Sequence, residues 1–153
     1  MKCKLAAFTV CGAAIAALPA GYSHWTAERI QDRVKTLPAK MTRMKVGLES
    51  LGSWGNHSMS VVHREGSGEA ELHRTQADIL IVRSGDASIV IGGTIPGGRN
   101  TTVNEVRGPK IEGGETQALH PGDVVHIPVR TPHQILLEAG HTVDYFAVKV
   151  DSK

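Results

Sequence analysis

An all-β domain, a two-sheet sandwich or barrel behind one short N-terminal helix, is what this sequence predicts. Three observations carry the prediction. Short runs rich in Val, Ile and Thr recur along the chain, and Gly, Pro or Asp closes most of them. From Met41 onward the apolar residues follow the two-residue period of strands instead of the helical period. At least eight such runs follow at short spacing, and no second amphipathic helix interrupts them. A chain of 153 residues is one domain's worth and long enough to bury a core.

Residues 1–20 read differently from the rest. Lys2 and Lys4 make a short positive start, Leu5 to Leu18 is nearly all apolar, and Pro19-Ala20 offers a small residue for cleavage. This is the layout of a secretory signal peptide cut near Ala20, and the run is short for a membrane span. The expected product is a periplasmic or secreted bacterial protein with no membrane span in its mature form. Cys3 and Cys11 both lie in the leader, so the mature chain has no thiol for a disulfide or a thiolate metal site. Removing Lys2 and Lys4 takes 17 basic residues to 15 against 15 acidic ones, so the formal charge falls from +2 to 0. Without a basic run, nucleic acid is not an expected partner.

Residues 21–40 are expected to form a helix and linker. Ile30, Val34 and Leu37 recur at helical spacing between Ser23 and Leu37, Ser23 or Thr26 can cap, and Pro38 ends the run. The stripe is expected to bury against the outside of the β domain or against a second subunit, and a homodimer is one expectation. Residues 41–153 are expected to form the β domain. Its strands are Val46–Leu51, Ser58–Arg64, Ala70–His73, Asp78–Val82 and Ala87–Ile91, with Arg83–Asp86 as a hairpin turn. A Gly-rich insert, Thr94–Gly114, carries a strand around Val103–Arg107. Thr116–Leu119, Val124–Ile127, His133–Glu138 and Val143–Val150 complete the set.

Glu71 and His73 are two apart on one strand and share a face. Asp78 shares a face with Leu80 and Val82 on the next strand, so three donor side chains can converge from neighbouring strands. His133 follows a second turn-rich segment, from Gly122 through Pro128 and Arg130. His63 reads as an ordinary polar strand position, with lining of the pocket as the alternative, and His126 and Lys149 read as outward-facing by alternation. His24, His57, His120 and His141 read as solvated, as does Arg83 in its turn. Arg130 is either an anion contact at a pocket mouth or an exposed turn residue.

These segments resemble the two motifs of the cupin superfamily, in particular secreted single-domain bacterial cupins. Glu71, His73, Asp78 and Gly85 align with the first motif, and Gly122, Pro128 and His133 with the second. The resemblance spans roughly Ser58 to Val150 and implies a single jelly-roll barrel. Glu71 stands where the first motif usually has His, Asp78 is a methylene shorter than the usual Glu, and Arg130 replaces a usual Gly. The implied metal ligands are Glu71, His73, Asp78 and His133.

Two imidazoles and two carboxylates suit a divalent transition metal, Fe, Mn, Ni or Zn. Metal affinity is expected to fall below about pH 6, where imidazoles begin to protonate and stop being ligands. The expected function is binding or conversion of a small organic molecule, with dioxygenase- or isomerase-type chemistry as the enzymatic form. The alternative is a metal-free barrel that binds a small sugar or carboxylate without catalysis. In that form Glu71 pairs with a nearby Arg and Asp78 stops short of an ion. A purely dimerising barrel is the third class, and the residues leave open whether the protein is an enzyme.

Overall fold

The computed structural model describes residues 17–152, so the expected leader lies outside the described residues except for its last four positions. Helix α1 runs over Ala27–Thr36. Of the two proposed caps, Thr26 serves: its Oγ1 accepts the Arg29 N–H at 3.3 Å. A 3-10 turn over Pro38–Lys40 follows. Eleven strands come next: β1 Val46–Trp54, β2 His57–Arg64, β3 Ala70–His73, β4 Gln76–Gly85, β5 Ala87–Ile91, β6 Arg99–Thr102, β7 Glu105–Gly108, β8 Glu115–Leu119, β9 Val124–Ile127, β10 His133–Leu136 and β11 Val143–Asp151.

The strands form two antiparallel sheets, one in the order β1-β2-β11-β4-β9 and the other β6-β7-β3-β10-β5-β8. This is a jelly roll, in which consecutive strands often lie on opposite sheets. Between the sheets, Val62, Leu80, Val82, Ile127, Val143 and Tyr145 of the first meet Ile89, Leu119 and Ile135 of the second. Each such burial contributes about 1.5–3 kcal/mol before ordering costs.

A second core lies on the outer face of the five-stranded sheet. Ile30, Val34 and Leu37 pack there against Leu51 of β1 and Val61 of β2, with Met59 and Phe146 alongside. The helical stripe is therefore covered by the chain's own sheet. The approach is close, since a Cβ on Gly47 would stand 2.5 Å from the Leu37 carbonyl oxygen.

Two local expectations need correction. Arg83–Asp86 is not a hairpin turn: β4 pairs with β11 and β9, while β5 pairs with β10 and β8. The segment instead carries the chain from one sheet to the other. Gly85 makes the corner at φ 75°, where a Cβ would stand 2.0 Å from the Thr142 oxygen. Arg83 belongs to β4, and its guanidinium lies over the Phe146 ring at 5.2 Å. The insert holds a hairpin, β6–β7, instead of one strand, and Val103 sits 84% exposed in its turn. A β-branched residue favours extended backbone but does not say which residues pair.

Candidate metal centre

Three strands deliver the four candidate donors. Glu71 and His73 point inward from β3, and His133 enters from β10 as the direct cross-strand partner of Glu71. Asp78 comes from β4 in the opposite sheet, so it faces the other three across the barrel instead of joining them from a neighbouring strand. The two motif segments are also tied through the backbone. Arg130 N–H donates to the His73 carbonyl at 2.7 Å. Arg130 makes this bend at φ 60°, the left-handed region that suits glycine, and its side chain is exposed.

Among the described residues, the donor atoms of Glu71, His73 and His133 lie within 4.8 Å of one another. Small side-chain shifts bring that spacing to a single ion bonded at about 2.0–2.2 Å to each. Both histidines are about 6% exposed, so water competes weakly for the position. His133 Nδ1 is 3.0 Å from the Thr131 carbonyl, which fixes that nitrogen as the donor and leaves Nε2 free to ligate. The imidazoles are tilted at 51° with centroids 5.3 Å apart. Asp78 Oδ2 lies 3.3 Å from His73 Nε2 and 3.5 Å from His133 Nε2.

Lys149 overturns the expectation that it faces outward. It pairs in register with Asp78, and its Nζ stands 2.9 and 3.1 Å from the Asp78 carboxylate oxygens and 2.9 Å from His73 Nε2. The alternation itself is as expected; its assignment to faces is reversed. Tyr145, Ala147 and Lys149 face the barrel, and Phe146 lies under the helix. Because α1 covers the outer face, apolar residues on β11 do not identify the inner one.

Glu71 is also engaged from outside the expected set. Arg107, its partner across β3–β7, donates to Glu71 Oε1 at 2.9 Å and to Glu105 Oε1 at 2.7 Å. Glu71 Oε2 remains 3.4 Å from His73 Nε2, so one carboxylate oxygen holds the arginine and the other faces the site. Neither Arg107 nor Lys149 carries a motif in the sequence. Only strand pairing brings them in.

The electrostatics follow from this packing. Burial by itself pushes the Glu71 carboxyl up, but the His73 hydrogen bond and the Arg107 charge outweigh it and hold the group at about 2. Burial likewise pulls His73 down, yet hydrogen bonds to Asp78 and Glu71 raise it to about 9. Burial raises Asp78, while the two histidines and Lys149 outweigh it and hold the carboxyl well below the usual range. His73 Nε2 also lies 2.9 Å from Lys149 Nζ, so the imidazole, the ammonium and the Asp78 carboxylate form one polar cluster.

His63 does not line the site. It lies on the helix side of β2, with Nδ1 2.7 Å from Asp144 and Nε2 3.2 Å from Glu65. His126 is exposed, as its strand position predicts, and His120 is held at the surface by Asp86 at 2.8 Å.

Beside the cluster a cavity of about 390 Å³ opens through the barrel, walled by Leu48, Val62, Leu80 and Ile135. Glu71, Asp78, His133 and Lys149 line its polar side. Its volume is in the range of small-molecule sites, about 300–1,000 Å³. No helix among the described residues is long and apolar enough to cross a membrane.

No protein-family model and no curated protein matches the sequence. Solved structures do match in fold. KdgF from Halomonas sp. superposes with a TM-score of 0.52 at 14% identity, covering 71% of this chain and 82% of that one. The cupin-2 domain of Rru_A2000 from Rhodospirillum rubrum gives 0.52 at 16%, covering 71% and 63%. A recombinant oxalate oxidase in complex with glycolate gives 0.52 at 15%, covering 73% of this chain and 54% of that one. At these identities the likeness shows the fold, and that fold is the cupin jelly roll.

Proposed function

We propose that this cupin-fold barrel holds one divalent transition metal through Glu71, His73 and His133, and binds or converts a small organic molecule in the adjoining cavity. The observation that carries the proposal is the convergence of those three donors inside a barrel with a cavity beside them. The donor set fits Fe, Mn, Ni or Zn, since it offers imidazole and carboxylate and no thiolate. Such an ion supplies Lewis acidity, and with Fe or Mn redox chemistry, to a ligand bound beside it. The chain's own residues set the stage. Thr131 orients His133, Arg107 fixes the Glu71 carboxylate, and the apolar walls offer a surface for a ligand's apolar part. Asp78 joins the shell only if Lys149 releases it. The oxalate oxidase of the same fold carries glycolate, which supports a small ligand in a barrel of this shape.

A second reading has its own observation. Lys149 Nζ already stands between His73 and Asp78, so an internal ammonium can serve as the cation the carboxylates require. The barrel is then a metal-free binder of a small ligand. Anaerobic reloading with Fe(II), Mn(II), Ni(II) and Zn(II) in turn, followed by elemental analysis, separates the two. The metal reading expects about one ion per chain, and His133→Ala to weaken binding about 10-fold or more. If no ion is retained above background, the metal-free reading takes over.

A further inference from the structure

The cavity's charges are paired one by one, with one exception. Lys40 meets Glu49 at 3.0 Å, Glu69 meets Arg99 at 3.0 Å, Arg107 meets Glu71 at 2.9 Å, and Lys149 meets Asp78 at 2.9 Å. Arg64 also lines the cavity, and among the described residues it has no carboxylate partner. Its one side-chain hydrogen bond runs from Nε to the Tyr145 hydroxyl oxygen, at 2.8 Å. That bond fixes the guanidinium plane and leaves both terminal amino groups to donate. Gly68 makes room for it, since a Cβ there would stand 2.7 Å from Arg64 Nη1. The Tyr145 oxygen accepts from Arg64, so its own O–H remains a donor. Burial raises the Tyr145 pKa, so that proton stays on oxygen at neutral pH.

A half-buried guanidinium without a counter-ion, oriented by a neutral partner and facing an apolar cavity, lacks only an anion. We infer that Arg64 and Tyr145 form a carboxylate anchor, and that the natural ligand is a small monocarboxylate with an apolar body. The carboxylate takes the Arg64 fork and the Tyr145 O–H. The body lies along Leu48, Val62, Leu80 and Ile135, reaching toward Glu71 and His133. A planar fork recognises a carboxylate at two points, which a lysine at the same place does not. The inference rests on the barrel interior being the small-molecule site, but it does not require the metal.

The test uses metal-free protein, phenylacetate and hexanoate as probes, and their primary amides as neutral isosteres. Calorimetry should show each acid binding about 10-fold or more tightly than its amide, as a charge-assisted bidentate contact gives. Arg64→Met should bring the acid down to the level of the amide, and Arg64→Lys should retain part of the preference. Should Arg64→Met fail to fold, Arg64→Lys and Tyr145→Phe still decide, because the acid-to-amide ratio must shrink in both. Equal affinity for acid and amide in the wild type overturns the inference. So does an acid preference that survives in Arg64→Met, or no binding of either acid well above millimolar concentration. Metal retention is measured separately, on aliquots of the same variants reloaded with Fe(II), Mn(II), Ni(II) or Zn(II). A lost acid preference with metal retained sinks this inference alone, whereas lost metal with the preference intact sinks only the metal reading.

Discussion

Replacing Lys149 by Met removes the ammonium while keeping most of the side chain's volume. In the metal-free protein this strips Asp78 of contacts at 2.9 and 3.1 Å. Breaking a buried pair from one side costs about 3–5 kcal/mol. The Lys149 side chain is 34% exposed, and two imidazoles stay within 3.5 Å of the carboxylate. We therefore expect a smaller loss, about 1–3 kcal/mol, because solvent and the histidines compensate part of it. Metal binding should move the other way. An ion that takes His73 Nε2 must displace Lys149 Nζ from 2.9 Å, and the wild type forfeits the Lys149–Asp78 pair at that moment. Lys149→Met has no such pair to forfeit. The same 1–3 kcal/mol then appears as a roughly 5- to 150-fold gain in affinity. Urea unfolding of metal-free protein measures the first quantity, and competition with a chelating dye under anaerobic conditions measures the second. Unchanged or weaker metal affinity in Lys149→Met would refute the exchange and make Lys149 a support of the site instead of its competitor.

Three further predictions concern the pH dependence of the site and the bend at Arg130. His73 is raised from 6.5 to about 9, so its stabilisation of the metal-free fold is fully present below pH 6.5 and lost as pH rises through 9; Glu71, lowered from 4.5 to about 2, stabilises above pH 4.5 and loses that contribution as pH falls through 2. Each amounts to on the order of 3 kcal/mol, so metal-free stability should peak between pH 4.5 and 6.5. Metal affinity should keep rising toward pH 9 instead of levelling just above pH 6, and a flat affinity above pH 7 counts against the raised His73. At Arg130, φ 60° penalises any residue with a Cβ, so Arg130→Gly should be more stable than Arg130→Ala by about 1 kcal/mol in thermal unfolding. An Ala variant as stable as the Gly variant would show that the backbone there relaxes.

The sequence by itself determined most of the strands, though not the β6–β7 hairpin, and the ligand candidates. A two-residue apolar period, with Gly and Pro at the breaks, is a local property, and it located β3, β5 and β9 to the residue. Spacing within one strand put Glu71 beside His73, because side-chain direction alternates regardless of what the strand pairs with. What lay outside the sequence was everything set by partners. Arg83–Asp86 reads as a hairpin because its flanks look alike whether the chain turns back or crosses to the other sheet. Lys149 looked solvent-facing because Val148 and Val150 flank it, and only the helix packed on Val61 and Phe146 makes the apolar side of β11 the outer one. Arg107 met Glu71 through pairing across 36 positions, and Arg64 met Tyr145 across 81. Tertiary structure alone decided which charges are paired in the barrel and which one is left free, because a long-range ion pair is a consequence of register, and register is a property of two strands together.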